Sequence, residues 1–244
     1  DLRAKGFLYE DGTHIPMIIW GKGIKHSVCD DLVSELDISA SFLHLAGVEI
    51  PSWYQGHVLD VFNPIEGENG GAHEWLYTAR DTWDEVQECI RGISDDRFDY
   101  VRNYRADMPY AADHIYMDFY RPALHIMKKL KKEGKLTREQ LLYFAPTKPY
   151  EELYDYRKDP FCLNNLADDP EYAGQIDLMR QEFVANVSHE LKSPIALIQG
   201  YAEGLIENVN SDEESRKFYA EVILDEANKM DKLVKNLLEL MKLE

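Results

Sequence analysis

Two places in this 244-residue chain carry side chains suited to chemistry. In F-V-A-N-V-S-H-E-L-K-S-P, Phe183 to Pro194, the imidazole of His189 is followed at once by the carboxylate of Glu190. Successive helical residues turn by about 100°, so His189, two positions past Val187 and two before Leu191, falls nearly opposite the seam those residues define and faces solvent. An exposed imidazole beside a carboxylate that orients its ring or takes its proton can serve as a nucleophile or general base. The plainer account of the pair is a solvated helix face. A zinc-protease H-E-x-x-H is excluded, because Ser193 stands where the second histidine is needed. Pro194 removes the N–H that would bond the Glu190 carbonyl, so the helix is expected to be interrupted, loosened or bent there. The other place is the N-terminal stretch A-K-G-F-L-Y-E-D-G, with the ammonium of Lys5. His14, His57 and His73 lie near aromatic or turn residues, and substrate contact is the lesser expectation for them. The pairs beginning at Asp30 and Asp95 lack the spacing of a calcium loop and read as turns, so no metal site is expected. Cys29, Cys89 and Cys162 are far apart and odd in number, which suggests neither a disulfide framework nor a C-x-x-C metal site.

The elements around these residues follow from periodicity. I-P-M-I-I-W, Ile15 to Trp20, is an apolar run between glycine-containing turns and predicts a buried strand. Ile38, Phe42 and Leu45 recur at helical spacing, with Asp37 as N-cap and Gly47 as the stop. Runs near Glu74 and Glu88, then the Ser94-Asp95-Asp96 turn into R-F-D-Y-V-R-N-Y, predict an antiparallel meander. Residues 106–121 are aromatic and irregular. Pro122 opens a helix to about Lys132, Thr137 and Gln140 form a capping box, E-L-Y-D-Y reads as a last strand, and Pro170 starts a helix at N1.

From Tyr172 the apolar positions Ile176, Met179, Phe183, Val187, Leu191, Ile195, Ile198, Ala202 and Leu205 sustain one helix, which the polar stretch Glu207 to Asn210 ends. Ser211 and Glu214 form a capping box for a second helix carrying Ile223, Ala227, Met230, Val234, Leu237 and Met241 on a coiled-coil-type seam. One hairpin cannot close such a core. Pairing of two hairpins as a four-helix bundle is the first expectation, with packing on the preceding domain as the alternative. The fold class is thus an α+β N-terminal part, a small antiparallel sheet with a packed helix, followed by an all-α hairpin that dimerises.

Composition narrows the function. A 45% hydrophobic content suits a chain with a real core, and 27 basic against 45 acidic residues give a formal charge of −18. Nucleic-acid and anionic-membrane binding both need a basic face and are not expected. No apolar run approaches the roughly 18 residues of a membrane span, and the first residues lack the pattern of an export signal, so the chain reads as beginning within a domain.

H-E-L-K-S-P, preceded by its apolar run and followed by I-A-L-I-Q-G-Y-A-E-G-L and a capped helix ending L-L-E-L-M-K-L-E, resembles the dimerisation and phosphoacceptor domain of sensor histidine kinases, over residues 179–244. The resemblance implies that His189 is the phosphoacceptor and Glu190 the adjacent acid-base residue. Ser193 would occupy the position where the family usually has Thr or Asn, which matters for dephosphorylating a response regulator. It further implies a homodimer through residues 183–243, a receiver domain as partner, and ATP presented by a kinase catalytic domain in trans. No asparagine-box or glycine-rich segment follows, so the chain is not expected to phosphorylate itself unaided.

A-K-G-F-L-Y-E-D-G-T-H-I-P-M-I-I-W-G-K-G-I, S-E-L-D-I-S-A-S-F-L-H-L-A-G-V-E-I-P, Q-G-H-V-L, E-C-I-R-G-I-S-D-D-R-F-D-Y-V-R-N-Y and E-L-Y-D-Y-R-K-D-P-F-C-L-N-N-L-A-D-D-P resemble the C-terminal part of sulfatases, nearest to heparan N-sulfatase-like members, over residues 1–178. Lys5 then matches the family's lysine that contacts the substrate sulfate, where an ammonium can stabilise charge on a sulfuryl oxygen. None of the three cysteines opens the C-x-P-x-R segment that yields formylglycine. No cofactor is therefore expected on this chain alone; calcium belongs to a complete sulfatase, and sulfate-ester hydrolysis by the chain by itself is not expected. Three accounts remain: a phosphoacceptor module fused to an incomplete sulfatase, a sulfatase fragment whose hairpin only oligomerises, or a junction of two genes or a constructed fusion. The kinase-like part implies the cytoplasm and the sulfatase-like part implies export, with no membrane span between them.

Overall fold

A computed structural model of the chain describes residues 7–51, 53–62, 73–83, 86–111, 119–207 and 212–241; for 82–83, 186–193, 229 and 232–241 it describes the backbone alone. The chain forms two compact units, Asp1–Ile176 and Asp177–Glu244.

The first unit is built on four antiparallel strands, β1 (Leu76–Trp83), β2 (Val86–Ser94), β3 (Phe98–Asn103) and β4 (Glu151–Asp155), in the order β1-β2-β3-β4. This is the meander that the alternating runs predict. Asp95 tightens the β2–β3 turn, its Oδ1 accepting the N–H groups of Arg97 and Phe98 at 2.7 and 2.6 Å. Every residue of β3 is buried, so both faces of the sheet are covered. One face carries Ile90, Gly92, Val101 and Glu152, as the strand register requires. Leu8 packs there with Ile90 and Val101. Gly92 makes that approach possible: a Cβ would stand 2.4 Å from Thr78 Oγ1 and 3.3 Å from Leu8 Cδ1. The other face carries Ile93, Tyr100 and Leu153, all at or below 1% exposure.

The first face is unusually polar. Glu152 is fully buried and accepts from Tyr9, Tyr110 and Tyr154 hydroxyls at 2.9, 2.8 and 2.5 Å and from Asn103 Nδ2 at 2.5 Å. Burial and this carboxylate push the three phenols well above their ordinary value. Lys148 and Glu88 form a buried ion pair on the same side of the fold. A buried charge costs several kcal/mol unless paired, so these contacts anchor the 103–110 and 148–152 segments to the sheet.

The first unit also contains the helices α1 (Glu10–Thr13), α2 (Glu35–Leu45), α3 (Pro122–Lys132) and α4 (Arg138–Leu142). Pro122 opens α3, and Thr137 and Gln140 complete the capping box of α4, as their spacing predicts. Two expectations fail. Ile15 to Trp20 forms no strand, and Ile18 and Trp20 are each 94% exposed; the run pairs with no strand among the described residues, and apolarity without a ladder partner does not make a strand. In α2 the cap is Ser34, with Asp37 three residues in as the acidic half of a capping box, and the buried positions are Asp37, Ala40 and Ser41 while Phe42 and Leu45 stay exposed. Gly47, at φ +68°, ends α2 as expected.

A 3₁₀ turn, Pro170–Tyr172, capped by Asp169, leads into α5 (Ala173–Ile206). Pro194 lies inside α5 and does not interrupt it. Of the expected seam, Ile176, Met179 and Phe183 are buried. The hairpin returns through α6 (Glu213–Met241). Its first turn is capped by Asp212, whose Oδ1 accepts from Ser215 N at 2.8 Å; the expected cap Ser211 lies outside the described residues. Next to the turn, Tyr201 meets Tyr219 edge-on with ring centroids 5.0 Å apart. Gly204 lies under Tyr219, where a Cβ would come within 2.7 Å of the ring. Beyond Phe183, no described residue of the hairpin is fully buried.

Candidate functional site

His189, Glu190 and Ser193 all fall on α5, a single helix of 34 residues, so the backbone carries the His-Glu pair on regular helical geometry. Their side chains lie outside the described residues, as does the whole of Lys5. Regular helix on both sides of position 189 is the condition under which the 100° rule places His189 and Val187 on different faces.

The structure assembles a second group that spacing along the chain does not reveal. Asp37, His57 and His73, from three separate segments, bring one ligand-type atom each within 4.8 Å of one another. Asp37 is fully buried at the start of α2. Its Oδ2 accepts Ser34 N at 2.7 Å and its Oδ1 accepts His57 N at 2.7 Å, while His73 Nε2 lies 3.0 and 2.9 Å from the two oxygens. The 56–59 segment can lie along the helix because residue 56 is glycine: a Cβ there would stand 2.3 Å from the Leu36 carbonyl oxygen. Leu59 N then donates to Ser41 Oγ at 2.9 Å, extending the contact by a further turn. His73 is held by its own N–H, bonded to the Leu32 carbonyl at 3.1 Å. The rings of His57 and His73 stack with centroids 4.4 Å apart and planes 11° from parallel. A helix-capping aspartate followed by Q-G-H is the only trace of this arrangement in the sequence, because His73 joins from 36 residues away.

His14, the third histidine weighed from sequence, instead pairs with Glu10 on α1, with Nδ1 to Oε1 at 2.5 Å. No disulfide joins Cys29, Cys89 and Cys162. Burial pushes the Cys162 thiol up to about 12 and raises that of Cys89, so neither is poised as a thiolate nucleophile. Among the described residues, no helix is long and apolar enough to cross a membrane.

Comparison with known proteins divides the chain along the same lines. Residues 179–244 match the model of the His Kinase A (phospho-acceptor) domain, and residues 2–111 match that of the C-terminal domain of N-sulphoglucosamine sulphohydrolase. An ulvan-active sulfatase of Formosa agariphila is 32% identical over 182 residues, covering 74% of this chain and 30% of the relative. Sensor protein SrrB of Staphylococcus aureus is 38% identical over 69 residues, 28% of this chain and 12% of the relative. The chain therefore spans under a third of the first relative and about an eighth of the second. The crystal structure of a protein assigned as a sulfatase from Bacteroides thetaiotaomicron superposes with a TM-score of 0.51 at 22% identity, over 75% of this chain and 31% of that one. The chain joins a sulfatase-like part to a His Kinase A phospho-acceptor domain.

Proposed function

We propose that residues 179–244 form a dimerising phospho-acceptor module of two-component signalling, in which His189 takes the terminal phosphoryl group of ATP and passes it to a response regulator receiver domain. The observation that carries this reading is the match to the phospho-acceptor family over residues 179–244, with H-E-L-K-S-P lying on an unbroken helix. A neutral imidazole nitrogen attacks the γ-phosphorus, the bond to the ADP oxygen breaks, and Glu190 receives the ring proton or orients the ring that sheds it. Ser193, one helical turn on, would stand where water is positioned for phosphate removal. The nucleotide is brought by a kinase ATP-binding domain, and the part of residues 179–244 is to present the nucleophile.

Dimerisation through residues 183–243 follows from the hairpin's incompleteness. Two helices with a broad apolar face and no fully buried described residue past Phe183 gain a closed core by pairing as a four-helix bundle. In the sulfatase-like part, Lys5 would meet sulfate within a complete sulfatase, where calcium also belongs. Incubation with labelled ATP and a compatible catalytic domain tests the proposal. Label should enter the chain and be lost in His189→Gln; label that persists in that variant, or never enters the parent, rejects it.

A further inference from the structure

We infer that Asp37, His57 and His73 form a binding site for one divalent transition-metal ion, Zn²⁺ being the reference case. Two imidazoles and one carboxylate are the three-ligand complement with which zinc keeps a fourth position open to water. Nitrogen donors favour zinc, cobalt, nickel or copper over calcium and magnesium. The inference is independent of any role for His189.

The carboxylate is already set. Asp37 is fully buried and its oxygens are oriented by two backbone N–H groups at 2.7 Å, which leaves each oxygen a further lone pair. That pair now faces His73 Nε2 at 2.9–3.0 Å. Tetrahedral zinc with bonds of about 2.0–2.1 Å holds its ligand atoms about 3.3 Å apart. Replacing the shared proton by the ion therefore asks this contact to open by only a few tenths of an ångström, and the displaced proton leaves to solvent. His57 completes the set from the solvent side. It is exposed, neither of its ring nitrogens meets a polar partner among the described residues, and its ring lies on His73. Stacked rings do not aim their lone pairs at one point, so His57 must rotate about its side-chain torsions to ligate. Exposure leaves it room to do so, and the ligand atoms are already within 4.8 Å. The site is thus two-thirds rigid, with one movable ligand at its mouth.

The full chain, stripped of metal, is titrated with Zn²⁺ against a chromophoric chelator, and with Co²⁺ for its visible spectrum. One equivalent should bind, with tetrahedral-intensity cobalt bands and no thiolate charge-transfer band. His57→Ala and His73→Gln should each weaken Zn²⁺ binding at least tenfold, while His14→Ala leaves it unchanged. His57 is exposed, so His57→Ala tests ligation even if His73→Gln unsettles the fold; unchanged tryptophan fluorescence certifies each variant. Binding by the parent no tighter than that of the His57→Ala/His73→Gln double variant, loss in only one of the two single variants with both folded, or a thiolate band implicating the exposed Cys29, would overturn the inference.

Discussion

Replacing Asp99 by asparagine should stabilise the sheet-bearing unit, and by an amount that depends on pH. Asp99 lies on β3 opposite Ser94 and Tyr154, is 2% exposed, and has an Oδ2 with no hydrogen-bond partner. Burial, partly offset by a hydrogen bond from Ser94 and reinforced by the carboxylates of Glu10 and Asp95, pushes its carboxyl up to about 7. An unfolded aspartate titrates near 3.9, so the folded form binds its proton about three units more tightly, worth ~4 kcal/mol at about 1.4 kcal/mol per unit. The sign follows from linkage: this contribution is fully present below about pH 4, is lost as the pH rises through 7, and is flat beyond. Asparagine is shaped like the protonated acid and never ionises. The difference between Asp99→Asn and parent should therefore be near zero at pH 4 and grow to roughly 2–4 kcal/mol in favour of the variant by pH 8, relaxation of the buried site reducing the full figure. Urea unfolding followed by tryptophan fluorescence reads this unit selectively, since Trp20, Trp53, Trp75 and Trp83 all lie in it. A variant equally stable or less stable than the parent at pH 8, or a difference that does not change between pH 4 and 8, would refute the reasoning.

Removing one partner of the buried Lys148–Glu88 pair, as in Lys148→Met, should cost roughly 3–5 kcal/mol by stranding a carboxylate, and Glu88→Leu in the same chain should recover much of it, both read by denaturant midpoint. Gly92→Ala should destabilise the first unit by about 1–3 kcal/mol, because the new methyl meets Thr78 Oγ1; adding Thr78→Ala should relieve the loss in a double-mutant cycle. Asp212→Ala should lower the thermal midpoint of the hairpin, followed by circular dichroism of an isolated 177–244 fragment once its folding is shown, whereas Glu213→Ala should leave the Asp212–Ser215 cap in place.

Local patterns carried much of the fold. Alternation in β1 to β4, Pro122 at the start of α3, the Thr137–Gln140 box and the long periodic run into α5 each encode an element through contacts within a few residues. What the sequence hid depends on partners far along the chain. Ile15 to Trp20 has the composition of a buried strand, but a strand also needs a neighbour to bond. In α2 the apolar spacing pointed to Phe42 and Leu45 as the inner face, whereas the segment from Gly56 to Leu59 docks through backbone hydrogen bonds to Asp37 and Ser41 and so selects the polar side. Pro194 shows a local rule overridden: one missing hydrogen bond does not end a helix already fixed over many turns. The His-Glu pair was legible because its motif is contiguous. Asp37, His57 and His73 were not, because only the folded path of three segments brings them together.

The central claim, that residues 179–244 receive phosphate at His189, is tested most directly by mapping the modified residue. After incubation with ATP and a kinase catalytic domain, the tryptic peptide Gln181–Lys192 holds both Ser188 and His189. The account predicts one phosphoryl group on this peptide at neutral pH, fragmenting to place it on His189 and disappearing on brief acid treatment, as a phosphorus–nitrogen bond requires. Acid-stable phosphate on Ser188, or an unmodified peptide while an authentic phospho-acceptor domain in the same reaction is labelled, would contradict it.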